Sequence, residues 1–340
     1  MIVKSIKLIN FRNHAHYELE CTPKTSLILG ENGCGKTSVL EAIYILTRGK
    51  SFRATDPEII KRGADFYRIE LEYTNGEIIV AIYDGISKKF SAQGKNSSRL
   101  PKKAKYPVIL FLPSDLNLIS HAPGRRRDYF DLIFSELSNE YVSDLSKYKK
   151  ALKQRNEILK NEDLTRAMLF SWDILLARLG IKINQTRRNF VNEINSRLNN
   201  TYYSIAENDD LVEIKYQSRV SENITESEYL AEFEKDFNKE SCLGHTIFGI
   251  HHDDYIFEFN HKPADGSASR GETRSIILAL KFIEAKLIEE ILNQKPLILL
   301  DDVFSELDES RRECLVQNFK HHQVILTSVE LHNNSLPEKQ

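Results

Sequence analysis

Apolar and polar positions change period several times along this chain. Ser26-Leu-Ile-Leu29 is a short apolar run of buried-strand length, and a glycine-rich loop follows at once. Beyond the loop, Val39, Ala42, Ile43 and Leu46 recur at helical spacing, the stripe of a helix packed on a sheet. Ile69, Leu71 and Tyr73 alternate up to Asn75-Gly76, and Ile78, Val80 and Ile82 alternate after it. Asn-Gly between two such runs predicts a hairpin with a type I′ turn, in which both turn residues take positive φ. The first hundred residues therefore predict a strand–loop–helix unit with an antiparallel β layer beside it.

From about Asp115 to Asp236 turn residues thin out. Leu145, Tyr148, Leu152 and Arg155 share one helical face, as do Leu175, Leu179 and Ile183. No heptad pattern persists over the repeats that a long coiled coil needs. After Gly249 the α/β character returns: Ile276, Leu280, Ile283 and Leu287 form a helix stripe, Pro296 breaks the chain, and Leu297–Leu300 reads as a buried strand. Val324-Ile-Leu is the last expected strand, and Asn333–Gln340 is expected to fray. The pattern predicts an α/β domain from residues 1–114 and 240–340, with a mixed sheet and an antiparallel layer. A helical lobe, residues 115–239, is inserted into it.

Composition narrows the class. The 340 residues are 41% hydrophobic and 28% charged, a globular mix. The apolar runs fall far short of the roughly 20 residues that cross a bilayer, and Met1–Lys7 lacks the apolar run of a secretory signal. Cys21, Cys34, Cys242 and Cys314 have no metal-ligand spacing. Membrane-spanning, disulfide-scaffold and zinc-ribbon readings are set aside, and a cytoplasmic location is expected. The net charge of −2 decides nothing, but its distribution is uneven. Residues 120–200 carry fifteen Lys/Arg against ten Asp/Glu, and residues 201–240 carry four against eleven. This suits a polyanion held on one face, or the ordinary variation of solvated helices.

Gly30-Glu-Asn-Gly-Cys-Gly-Lys-Thr37 fits G-x-x-x-x-G-K-[ST] between strand and helix. Gly30, Gly33 and Gly35 let successive N–H groups turn toward one point. The helix starting near Lys36 adds its unpaired N–H groups and dipole. Lys36 brings charge to the β- and γ-phosphates, and the Thr37 hydroxyl is suited to Mg²⁺. Leu297-Ile-Leu-Leu-Asp301-Asp302 supplies the acidic strand end: Asp301 to hold the metal, Asp302 to orient or deprotonate the attacking water. Ser269-Arg-Gly-Glu272 opens the next striped helix as a second anion-binding N-terminus, and Ser305-Glu-Leu-Asp308 follows the acidic pair. Each of these two segments alone is an ordinary helix cap. Their order around a P-loop and an acidic strand is the layout of an ABC-type ATPase.

The residues carry a closer likeness. Leu8–Asn13, Ser38–Tyr44, Gly49-Lys-Ser-Phe-Arg53, Pro123-Gly-Arg-Arg-Arg127 with Asp131, Leu152-Lys-Gln-Arg-Asn156, Ser269–Arg274 and Leu300–Asp308 with Arg311-Arg312 run from end to end. Together they resemble the RecF family of recombination-mediator ATPases, relatives of the ABC-type heads of Rad50 and SMC proteins. The resemblance implies that Gly30, Glu31, Asn32, Gly33, Cys34, Gly35, Lys36, Thr37, Ser38 and Arg12 bind ATP with Mg²⁺. It also implies that Ser269 and Gly271 of a second copy close the site, so that ATP drives homodimerisation. Such a protein acts in recombinational repair, replication-fork maintenance and SOS induction. It is a weak, DNA-stimulated ATPase whose hydrolysis serves as a timer, binds DNA at gaps or single-strand/duplex junctions, and helps load recombinase with RecO and RecR.

Two segments depart from the family: Arg270 stands where a glutamine is usual, and Gly249-Ile-His-His-Asp-Asp254 lacks the usual proline and arginine. His251, Asp253 and Asp254 remain there for a metal cluster or for structural hydrogen bonding. Arg125, Arg126, Arg127, Lys150 and Lys153 are candidate DNA contacts, with Asp128, Asp131 and Glu136 as competing partners for the arginines. Cys34 is open to a redox role or to being a small loop residue. Two other readings are a transporter ATPase subunit and an SMC-like tether. Val324–Ser328 ends in hydroxyls where transporters place a switch histidine, no LSGGQ is present, and coiled-coil heptads are missing.

Overall fold

Alternation in the first hundred residues builds an antiparallel sheet, and the glycine loop leads into a helix buried on every side. A computed structural model describes residues 1–329; the tail expected to fray, Asn333–Gln340, lies outside the described residues. The chain forms two compact units. One is Met1–Leu116 with the segment from Glu284 onward, and the other is Asn117–Ile283.

In the first unit β1 (Val3–Phe11) and β2 (His14–Glu20) form a hairpin, followed by β3 (Thr25–Leu29) and α1 (Lys36–Arg48). A short α2 (Asp56–Ile59) leads to β4 (Tyr67–Tyr73), β5 (Ile78–Tyr83), β6 (Lys88–Ala92), β7 (Lys95–Ser97) and β8 (Val108–Phe111). Strands β2-β1-β4-β5-β6-β7 make the antiparallel sheet in that order. The β4–β5 turn corrects the expected type I′ geometry. Gly76 N–H donates to Tyr73 O and Tyr73 N–H to Glu77 O, so the loop holds three residues. Only Gly76, at φ 81°, is left-handed, which is the turn-plus-bulge alternative for a longer loop.

The second unit contains α3 (Pro123–Leu137), α4 (Asn139–Ile158), α5 (Arg166–Ala206), β9 (Val212–Gln217), α6 (Glu226–Leu243), β10 (Asp254–Phe259), β11 (Lys262–Pro263), α7 (Ala264–Ser267) and most of α8 (Arg270–Leu292). The segment expected to form a helical lobe includes β9. This strand pairs with β10 from Asp254↔Gln217 to Phe259↔Val212, so residues 240–283 group with the inserted lobe. Along α5 the buried stripe runs through Leu176, Leu179 and Ile183, one position off the expected Leu175.

Back in the first unit come β12 (Leu297–Asp301), α9 (Glu309–Phe319) and β13 (Val324–Ser328). A four-stranded parallel sheet runs β3-β13-β12-β8, so the ends of β3 and β12 flank β13 at one edge. Helix α1 packs against strands of both sheets, and eleven of its thirteen residues are buried. Its sequence stripe understates this burial because each sheet covers a different face.

Candidate nucleotide site

The loop between β3 and α1 is held from outside. Asn13 Nδ2 donates to Gly33 O (3.0 Å), and His14 Nε2 donates to Gly35 O (3.1 Å), both from the β1–β2 hairpin. This close approach is why residue 35 is glycine: its φ is 104°, and a Cβ there would lie 2.3 Å from His14 Nε2. Lys36 is buried, and its Nζ donates to Gly30 O (2.8 Å) and Glu31 O (3.3 Å), 3.6 Å from Asp302 Oδ2. Asn32 and Cys34 are exposed on the loop, and Ser38 is buried in the first turn of α1. A Cβ at Gly30 would lie 2.5 Å from Cys34 Sγ, so the sulfur occupies the space that glycine leaves.

Sheet order brings the acidic strand end to this loop. Asp301 pairs in register with Thr327, and Ser328 pairs with Leu29 on the other side. Thr37 Oγ1 donates to Asp301 at 2.8 and 2.9 Å from its two oxygens. Thr327 Oγ1 donates to Asp301 Oδ1 (2.9 Å) and accepts from Asp302 N (2.9 Å). Burial raises the pKa of Asp301, and the adjacent Asp302 adds to the shift against the Thr37 and Thr327 hydrogen bonds. An all-oxygen pair carrying this surplus of negative charge fits a hard divalent cation. Among the described residues no group of three His, Cys, Asp or Glu forms a metal site. A cation held by Thr37 and Asp301 therefore needs phosphate and water oxygens to complete its shell. Asp302 has a left-handed backbone (φ 49°), and its buried Oδ1 has no hydrogen-bond partner. An aspartate on a left-handed backbone with an unspent acceptor suits a group that binds water or substrate.

Lys36, Thr37 and Asp302 open on a cavity of about 640 Å³ whose other lining residues are Arg12, Asn13, Asn32, Gly33, Gly35, Ser38, Arg53, Glu58, Ile60, Lys61 and Arg62. Ser269 and Gly271 do not line it. Ser269 is exposed at the start of α8, where its N–H donates to Glu272 Oε2 (2.6 Å) and its hydroxyl accepts from Glu272 N (3.3 Å). Asn13, His14, Arg53 and Thr327 are additions that motif reading did not assign. The Leu8–Asn13 and Gly49–Arg53 motifs contain Asn13 and Arg53 without saying what they touch.

The basic candidates separate. Arg126 is buried and bidentate to Asp254 (2.8 and 2.7 Å), with Ile119 O and His121 O as further acceptors, so it is not a surface contact. The competing carboxylate is Asp254 of β10, not Asp128, Asp131 or Glu136. Arg127 donates to Asp253 O (2.6 Å). Arg125, Lys150 and Lys153 are exposed. The Leu152–Asn156 motif is internal in part: buried Arg155 pairs with Asp173 and Glu240 (2.6 Å each), and Asn156 accepts from Thr246 N (2.9 Å). His251 and Asp253 sit in hydrogen-bond networks of the same unit: Tyr148 Oη lies 2.9 Å from His251 Nδ1, and Arg187 is 2.8 Å from Asp253 Oδ2.

Residues 1–296 match the family described as an AAA ATPase domain. The DNA replication and repair protein RecF of Clostridium acetobutylicum is 32% identical over 339 residues, covering 96% of this chain and 92% of the relative. That of Clostridioides difficile is 32% identical over 357 residues, covering 100% and 95%. Among solved structures, the recombination mediator protein RecF with ATP, of the RecFOR pathway, aligns with a TM-score of 0.88 at 27% identity over 98% of this chain and 93% of that one. The Smc head domain from Pyrococcus yayanosii aligns at 0.54 and 10% identity over 96% of this chain and 92% of that one, a likeness of fold alone.

Proposed function

The chain belongs to the RecF family of DNA replication and repair ATPases, and on that premise we propose that ATP joins two copies of it into a dimer that binds DNA. The observation that carries this reading is the meeting of Lys36, Thr37, Asp301 and Asp302 at one edge of the parallel sheet, beside an open cavity. Lys36 holds two loop carbonyls; an incoming polyphosphate takes over its ammonium, and the loop N–H groups and helix start receive the remaining oxygens. Thr37 and Asp301 would hold Mg²⁺, which would supply positive charge against the phosphate oxygens. Asp302, which lines the cavity, takes a hydrogen bond from the attacking water and orients it. Ser269 and Gly271 at the exposed α8 start face the γ-phosphate of the other copy, so that nucleotide completes the interface and its loss loosens it.

The dimer grips gaps or single-strand/duplex junctions, with Arg125, Lys150 and Lys153 contacting phosphates. DNA stimulates a slow hydrolysis that times release. With RecO and RecR partners it loads recombinase, supporting fork maintenance and SOS induction. The location is cytoplasmic; no helix among the described residues is long and apolar enough to cross a membrane. Binding to gapped, single-stranded and duplex oligonucleotides, with and without ATP, tests the reading. Tight binding to gapped DNA only with ATP is expected, and affinities indifferent to ATP contradict it.

A further inference from the structure

Glu41 lies on α1 one turn beyond Thr37 and is fully buried. A carboxylate is rarely hidden from water unless it is paired and hydrogen-bonded. Here one carboxylate serves two guanidiniums. Arg12 Nε and Nη2 donate to its two oxygens at 2.9 and 2.7 Å. Arg53 Nε and Nη2 donate to Oε2 at 3.0 and 2.9 Å, and Ser51 Oγ donates to Oε1 at 2.5 Å. Arg12 is held further by Glu58 O (3.0 Å) and has a left-handed backbone (φ 56°). Both arginines line the cavity, whereas Glu41 does not. Glu41 thus ties the β1–β2 turn and the loop after α1 to one point behind the cavity wall. Its single negative charge leaves the trio with a net positive charge beside Lys36.

We infer that Glu41 is a positioning residue for polyphosphate: its carboxylate fixes Arg12 and Arg53 so that their guanidiniums face the cavity. The inference rests on the nucleotide reading of that cavity. It makes a prediction whose sign is opposite to that of simple charge. Removing a negative charge beside an anion site tightens anion binding if charge is all that matters. Removing the residue that aims two guanidiniums weakens it, because each loses a charge-assisted partner to which two of its nitrogens donate.

The test measures the affinity of the full-length protein for a fluorescent ATP analogue with Mg²⁺. Glu41→Gln is expected to weaken binding about tenfold or more, the scale of a lost charged hydrogen bond, and Glu41→Asp to recover part of the loss. In a chain carrying Arg12→Ala and Arg53→Ala, the Gln substitution is expected to add little, since its targets are gone. Unchanged or tighter binding by Glu41→Gln overturns the inference. So does an equal loss in the arginine-free background, which marks a merely structural effect. Should Glu41→Gln not fold, Glu41→Asp carries the same comparison: a loss confined to the arginine-containing chain supports positioning, and no loss overturns it. A wild-type protein that fails to bind the analogue, or binds it no better than Lys36→Ala, sinks the cavity reading and this inference with it.

Discussion

Thr37, in the first turn of α1, donates its hydroxyl to Asp301, at the end of a strand 264 residues further along the chain, with both carboxylate oxygens within 2.9 Å. The contact joins the phosphate loop to the acidic strand end across the intervening β13, and Thr327 reinforces it from the middle strand. Asp301→Asn keeps the shape but removes the charge a divalent cation needs. Its affinity for ATP with Mg²⁺ should fall about tenfold to a hundredfold, the loss seen when a site gives up a charged partner. With the metal chelated, wild type and variant should bind alike. Calorimetric titration with and without chelator reads the difference.

Lys36→Ala should abolish nucleotide binding. The lost side chain donates to two loop carbonyls, so unfolding stability should fall by no more than about 1–3 kcal/mol. A folded variant that binds ATP with wild-type affinity would remove the phosphate-loop assignment.

The basic residues of the second unit should divide by burial. Arg126→Ala leaves Asp254 without its bidentate partner and should destabilise the fold by about 3 kcal/mol or more. Exposed Arg125, Lys150 and Lys153, changed together to alanine, should leave the unfolding midpoint nearly unmoved. Their loss should weaken DNA binding equally across sequences and flatten its salt dependence by roughly one phosphate contact per residue. An unchanged salt slope would move the DNA site elsewhere.

His251 gives stability a defined pH dependence. A carbonyl only accepts, so the contact of Nε2 with Thr246 O (3.1 Å) places the proton on Nε2, and Nδ1 accepts from Tyr148. Burial, with the positive charges of His252, Arg127 and Arg155 nearby, pushes the ring from 6.5 down to about 3, although the Thr246 carbonyl favours the charged form. The unfolded chain then takes up a proton at higher pH than the folded one. The contribution is fully present above pH 6.5 and is lost as pH falls toward about 3, by about 1.4 kcal/mol per unit. Denaturant unfolding should show a steeper loss over this window in the wild type than in His251→Gln, which keeps the smaller contributions of His252 and His322.

Local order was legible along the chain. Strand β3, the loop of Gly30–Thr37, helix α1 and strand β12 follow from apolar runs and motif spacing, and so do the roles proposed for Lys36, Thr37, Asp301 and Asp302. Relations between distant segments were not. Thr327 looked like a strand end until β13 fell between β3 and β12. Glu41 lies in the apolar segment of α1 but off its stripe, and nothing local showed that Arg12 and Arg53 converge on it. Arg126 read as surface charge because its partner Asp254 is contributed by β10, 128 residues away.

Sedimentation of Asp302→Asn with and without ATP decides whether nucleotide joins two copies of the chain. Slowed hydrolysis should leave nucleotide bound, so a dimer is predicted in ATP and a monomer in its absence. A protein that stays monomeric while carrying bound ATP would contradict the account.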